Sequence, residues 1–147
     1  MVHYAQIRKD KMIRRKRRTK QNKHEETTVH KQLLKYVRLR FPNVIFRTDG
    51  AGLKLTKFQS INFAKMQSCN RYPDLFFPEP RGKFAGLYIE IKKNREEYLK
   101  KDGTIRQSEK ILGQLAVLWQ LDKRGYAASF GGGFAECKKI VDDYFSI

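Results

Sequence analysis

The chain's pattern predicts a mixed α/β fold, a four-stranded sheet with helices on both faces, and three observations carry that expectation. Two short apolar runs, about residues 73–77 and 86–92, flank the loop Pro78-Glu79-Pro80-Arg81-Gly82-Lys83, which reads as an antiparallel strand pair. Stretches with helical apolar spacing stand on either side of that pair. The resulting order is helix, strand, helix, strand, strand, helix, strand, helix, which sets helices against a single sheet.

With 147 residues, 40% of them hydrophobic and 12% aromatic, the chain can build one domain with a real core. Its net charge of +17 points to a polyanionic partner, DNA or RNA first and an anionic membrane surface second. No apolar run approaches the roughly 20 residues that span a bilayer. The basic N-terminus lacks the apolar segment of a secretory signal. Cys69 and Cys137 form no ligand spacing and read as thiols in a reducing compartment rather than a disulfide or zinc site.

Residues 1–24 hold ten Lys or Arg against one acid, Asp10, with Arg14, Arg15, Lys16, Arg17 and Arg18 as the densest run. So few apolar residues give this arm little to bury, so it is expected to be flexible, and DNA binding is its functional reading. A solvated tail is the simpler alternative. The domain proper is then residues 25–147.

Each element follows from its own residues. His24-Glu25-Glu26-Thr27-Thr28 starts a helix that should run to about Phe41 and stop at Pro42-Asn43. Val29, Leu33, Tyr36 and Val37 give it an apolar face, and at roughly 100° per residue Glu26 falls near the middle of that face. An acid is favoured in a first turn by the helix dipole, which accounts for Glu25 better than for Glu26. Glu26 is therefore a candidate third metal ligand. Residues 44–47 read as a short strand, Thr48 to Gly52 as a turn, and 55–68 as a short helix. After the two central strands, 93–106 is polar, with Asp102-Gly103 as a turn. A helix from about Gln107 to Lys123 follows, Gly125 ends it, and Tyr126 to Phe130 is the fourth strand. Gly131-Gly132-Gly133 leads into a last helix through Phe145. Those glycines lack the Lys-Ser/Thr of a phosphate-binding loop and read as a strand-to-helix turn, and no organic cofactor is expected.

The candidate chemistry lies in the central pair. Strand side chains alternate, so Glu90 and Lys92 share one face while Leu87, Ile89 and Ile91 take the other. An antiparallel pairing brings Asp74, at the head of the first strand, beside Glu90 near the end of the second. Two carboxylates and a lysine among apolar residues are costly to bury without a partner. A divalent cation with oxygen ligands, Mg²⁺ or Mn²⁺, is the simplest one. Asp74 and Glu90 would hold it, the backbone carbonyl of Ile91 is a further oxygen donor, and Lys92 can orient a water or neutralise developing charge. Such a set suits phosphodiester hydrolysis.

Pro73-Asp74 with Glu90-Ile91-Lys92 resembles the PD-(D/E)XK motif of restriction-endonuclease-like nucleases. The likeness extends toward the VRR-NUC family. It runs through Glu26 in an early helix, Pro73 to Phe76, Gly86 to Lys92, Gln114 in the next helix, and Gly125-Tyr126 opening the last strand. The resemblance spans about residues 25–147. It implies a restriction-endonuclease-like core and a divalent-metal-dependent DNase, with Asp74, Glu90 and Lys92 at its centre. Glu26 would be an added ligand and Gln114 a glutamine near the site, preferred over Gln107 on the same flank. It also implies possible dimerisation and action on branched or junction DNA in replication, repair or recombination, in a cytoplasmic setting and with a phage or prophage origin. Cys69-Asn70-Arg71-Tyr72 departs from the small, glycine-rich residues usual before Pro-Asp, which bears on substrate contacts there and not on the metal ligands. A non-catalytic basic nucleic-acid-binding module is the alternative reading, and an RNA-binding protein a third that leaves the acids unexplained.

Overall fold

Strand β3, Leu87–Lys92, is buried at all six positions and the rest of the molecule is assembled around it. The computed structural model describes residues 25–49 and 55–147. The basic arm, with Arg14, Arg15, Lys16, Arg17 and Arg18, lies outside the described residues, as does most of the turn expected after Thr48.

The sheet has the order β1-β2-β3-β4. β1 is Arg47–Thr48 and β2 is Leu75–Phe77. β2 runs antiparallel to β3, with Leu75 opposite Ile89 and Phe77 opposite Leu87. β4, Ala127–Gly132, runs parallel to β3, with Glu90 opposite Phe130 and Lys92 opposite Gly132. The sheet is therefore mixed, as expected. A parallel neighbour requires a crossover, and the helix between β3 and β4 supplies it.

Helices cover both faces. Residues 25–40 form α1, which stops one residue before Phe41-Pro42. α4, Phe134–Phe145, lies on the same face. There Leu33 and Val37 of α1 and Cys137, Val141 and Tyr144 of α4 pack with Leu75, Phe77, Leu87, Ile89 and Ile91 into the main core. α3, Glu109–Lys123, covers the opposite face, where Ile111 and Leu118 pack with Tyr98 and Phe130. The strand period thus divides β3 as the sequence implies, with odd positions in the main core and Tyr88, Glu90 and Lys92 turned toward α3.

Local signals fix the helix ends. Thr56 caps α2, Lys57–Lys65, through a capping box: its hydroxyl accepts from Gln59 N–H at 3.2 Å while Gln59 Oε1 accepts from Thr56 N–H at 2.9 Å. Ser108 caps α3 by accepting from Ile111 N–H at 3.4 Å.

Two boundaries depart from expectation. The strand expected at 44–47 begins only at Arg47. Val44 N–H turns back to the Phe41 carbonyl and Ile45 N–H goes to the Glu79 carboxylate, so the apolar trio never joins the ladder. The triple glycine is only partly a turn. Gly131 and Gly132 continue β4, and the chain turns at Gly133, whose φ of 89° is one that glycine adopts without strain.

Candidate active site

The site is built where β3 ends, on the face turned toward α3. Glu90 and Lys92 are 4% and 2% exposed and form an ion pair of 2.8 Å between Nζ and Oε1. A charge is rarely taken so far out of water without a use or a partner for it. Phe130 walls one side of the lysine, its ring centre 6.0 Å from Nζ. Gln114, on the buried side of α3, donates through Nε2 to the same Glu90 oxygen.

Asp74 precedes β2, and the β2–β3 register carries it to the level of Glu90 and Ile91. Its Oδ2 accepts from Ile91 N–H at 2.8 Å. The convergence of Asp74, Glu90 and Lys92 is therefore present. Gln114 joins them through Glu90, whereas Gln107 is exposed and donates only to the carbonyl of Ile105.

Electrostatics record the crowding of acids. Burial, and then the charge of Asp74, raises the Glu90 carboxyl to about 7 against the pull of Lys92. Asp74 is also raised, by burial first, while the Ile91 N–H and Lys92 oppose the shift. Glu26 sits half-buried in the first turn of α1. Burial, and then the neighbouring Glu97, raises it to about 7, with Lys110 and Lys92 lowering it. Its carboxyl is hydrogen-bonded to that of Glu97, so it reaches the rim of the site without joining the Asp74–Glu90 pair directly. Among the described residues, no three acidic, histidine or cysteine side chains are gathered tightly enough to hold an ion by themselves.

Two features of the donor set suit a hard divalent cation. Gln114 Oε1 is buried without a hydrogen-bond partner. Among the described residues, no hydrogen bond uses Oδ1 of Asp74 or Oε2 of Glu90. Oxygen donors of this kind fit Mg²⁺ or Mn²⁺.

Sequence reasoning missed three residues here. Asp49 adds its charge to Asp74, and its N–H donates to the Asp74 carbonyl at 2.9 Å. Finding it required the β1–β2 register, in which Thr48 faces Leu75. Glu97 pairs with Glu26 and was hidden in a polar stretch. Lys110 acts on Glu26, Asp74 and Glu90 alike. The signal for Lys110 was present, because it stands one helical turn before Gln114. A cleft of about 510 Å³ lies elsewhere, lined by Trp119, Leu118, Phe130 and Ile140, and none of Asp74, Glu90 or Lys92 borders it.

The antiparallel pair, the parallel third strand and the helices on both faces make a mixed α/β sheet consistent with a restriction-endonuclease-like fold. The chain is similar to a solved structure described as "VRR_NUC domain protein", with a TM-score of 0.55 and 20% sequence identity over 82% of this chain and 88% of that one. That likeness shows a shared fold. No family model matches the chain, and no curated protein does. No helix among the described residues is long and apolar enough to cross a membrane.

Proposed function

We propose that this chain is a divalent-metal-dependent endodeoxyribonuclease that hydrolyses DNA phosphodiester bonds. The VRR-NUC resemblance favours branched or junction DNA as its substrate class. The observation that carries the reading is the buried Glu90–Lys92 pair with Asp74 beside it, three groups whose burial costs stability and whose chemistry suits phosphoryl transfer.

Asp74, Glu90 and the Ile91 carbonyl would hold Mg²⁺ or Mn²⁺, with Glu26 as an added ligand. When bound, an ion of this class makes water nucleophilic at neutral pH and stabilises charge on the phosphoryl and leaving oxygens. Lys92, held by Glu90 and walled by Phe130, would orient the attacking water and offset negative charge developing at phosphorus. Gln114 would hold the Glu90 carboxylate in place. The Ile91 N–H does the same for Asp74 through Oδ2.

Purified protein incubated with Holliday-junction, flap, fork and duplex DNA and each divalent metal tests the reading. Cleavage should require the metal. Asp74→Ala and Lys92→Ala should each lower the rate by roughly 100-fold or more, and Gln114→Ala by about 10-fold to 100-fold. Wild-type rates in the Asp74 or Lys92 variants would remove the assignment. The net charge of +17 also suits a non-catalytic binding module. That alternative predicts salt-dependent DNA binding with no metal-dependent cleavage.

A further inference from the structure

Lys110 stands beside the acids, and Arg71 packs on the helix that carries it. Lys110 is exposed, lies in the first turn of α3 and precedes Gln114 by one helical turn. Residues at i and i+4 share a helix face, so α3 carries Lys110 on the side of Glu90, the acid that Gln114 touches. Among the described residues it closes no ion pair.

Arg71 comes to the same flank of α3 from another part of the chain. It lies three residues before Asp74, and its side chain runs across α3 at Gly113. A Cβ on Gly113 would come within 3.3 Å of Arg71 Nε and 3.4 Å of Cγ. Glycine weakens a helix interior; here it gives the arginine stem a seat beside Lys110, three residues earlier on the same flank of α3. Arg71 likewise closes no ion pair among the described residues. Arg71 belongs to the segment Cys69-Asn70-Arg71-Tyr72, which departs from the glycine-rich residues usual before Pro-Asp.

We infer that Lys110 and Arg71 form a two-pronged phosphate grip at the mouth of the acidic site, holding the nucleic-acid backbone at phosphates next to the one that is cut. The physical need is plain: Asp49, Asp74, Glu90 and Glu26 repel a polyanion at the point where it must approach. An ammonium and a guanidinium on the rim offset that repulsion. Arginine's planar fork can grip one phosphate through two hydrogen bonds, and lysine acts as a compact point charge. The word "cut" rests on the nuclease reading; the grip itself does not.

The test measures affinity for a short DNA duplex in EDTA buffer between 50 and roughly 200 mM salt. The proteins are wild type, Lys110→Ala, Arg71→Ala, Lys110→Arg and Lys35→Ala. Lys35 is exposed on α1, across the sheet from α3, and controls for loss of one charge. Each alanine at the grip should flatten the slope of log affinity against log salt by about 0.9. Lys110→Arg should keep the wild-type slope and Lys35→Ala should stay close to it, all with unchanged Tm. If Lys110→Ala and Arg71→Ala behave like Lys35→Ala, or if wild type binds no DNA, the grip is overturned. If wild type binds with the expected slopes but cleaves DNA with none of the divalent metals, the nuclease reading fails and the grip stands.

Discussion

Glu90 shows how much a single residue discloses when charge and burial disagree. Its raised pKa makes a definite prediction for the metal-free protein. The folded value, about 7, lies above the ordinary 4.5, so the folded state holds a proton that the unfolded chain releases between those values. The resulting stability is fully present below about pH 4.5 and is lost as pH rises through 7. Glu26 is shifted the same way. His30 acts in the opposite sense: burial lowers its pKa below 6.5, so its contribution is present above 6.5 and is lost as pH falls from there. The readout is therefore the difference between wild type and Glu90→Gln in metal-free buffer from pH 5 to 8.5. Wild type should lose on the order of 2 to 3 kcal/mol relative to the variant across that range. Parallel curves would show that Glu90 is not strained by its surroundings. Asp74, Glu90 and Lys92 were legible in the sequence because strand alternation places side chains without any knowledge of packing. Asp49 and Arg71 were not, because a register between strands and a seat on a helix had to be known first, whereas the spacing of Lys110 from Gln114 was there to be read.

At the scale of elements, the end of β4 sets how closely the site is walled. A Cβ on Gly132 would fall 2.6 Å from the backbone N and Cα of Arg95, in the single 3-10 turn Arg95–Glu97 that follows β3. Glu97 in that turn accepts from Lys93 N–H and pairs with Glu26. The bare backbone of β4 thus lets the turn approach and brings Glu26 to the rim. Backbone cannot swing aside as a side chain can, so Gly132→Ala should cost about 1 to 3 kcal/mol, read as a lowered urea midpoint with an unchanged m-value. A neutral result would mean that the turn moves freely, and the position of Glu26 would then be soft. The triple glycine announced a break in pattern, and composition alone could not say that two of the three extend a strand. The strand misplaced at 44–47 has a related cause. Apolarity is visible in sequence, whereas the Glu79 carboxylate that captures Ile45 N–H is 34 residues away.

For the whole molecule the question is how a chain of net charge +17 divides that charge. The first 24 residues take ten of the 32 basic side chains and one of the 15 acids, leaving 22 basic and 14 acidic residues, a net of +8, for the rest. Over half of the positive excess thus precedes α1, whose first turn contributes Glu26. If Arg14, Arg15, Lys16, Arg17 and Arg18 contact phosphates, each contact releases counterions and steepens the salt dependence by about 0.9 in the logarithmic slope. Deleting residues 1–23 should then weaken DNA binding, most at low salt, and flatten the slope by several units. The acids, Lys92 and the core of α1, α3 and α4 lie beyond the deletion, so short DNA should still be cleaved at high enzyme concentration. The shortened protein should also melt within a few degrees of the full chain. Binding measured across salt, cleavage at saturating enzyme and Tm together separate the possibilities. An unchanged slope would reduce the arm to a solvated tail. Loss of cleavage together with a collapse in Tm would instead make the arm part of the folded structure.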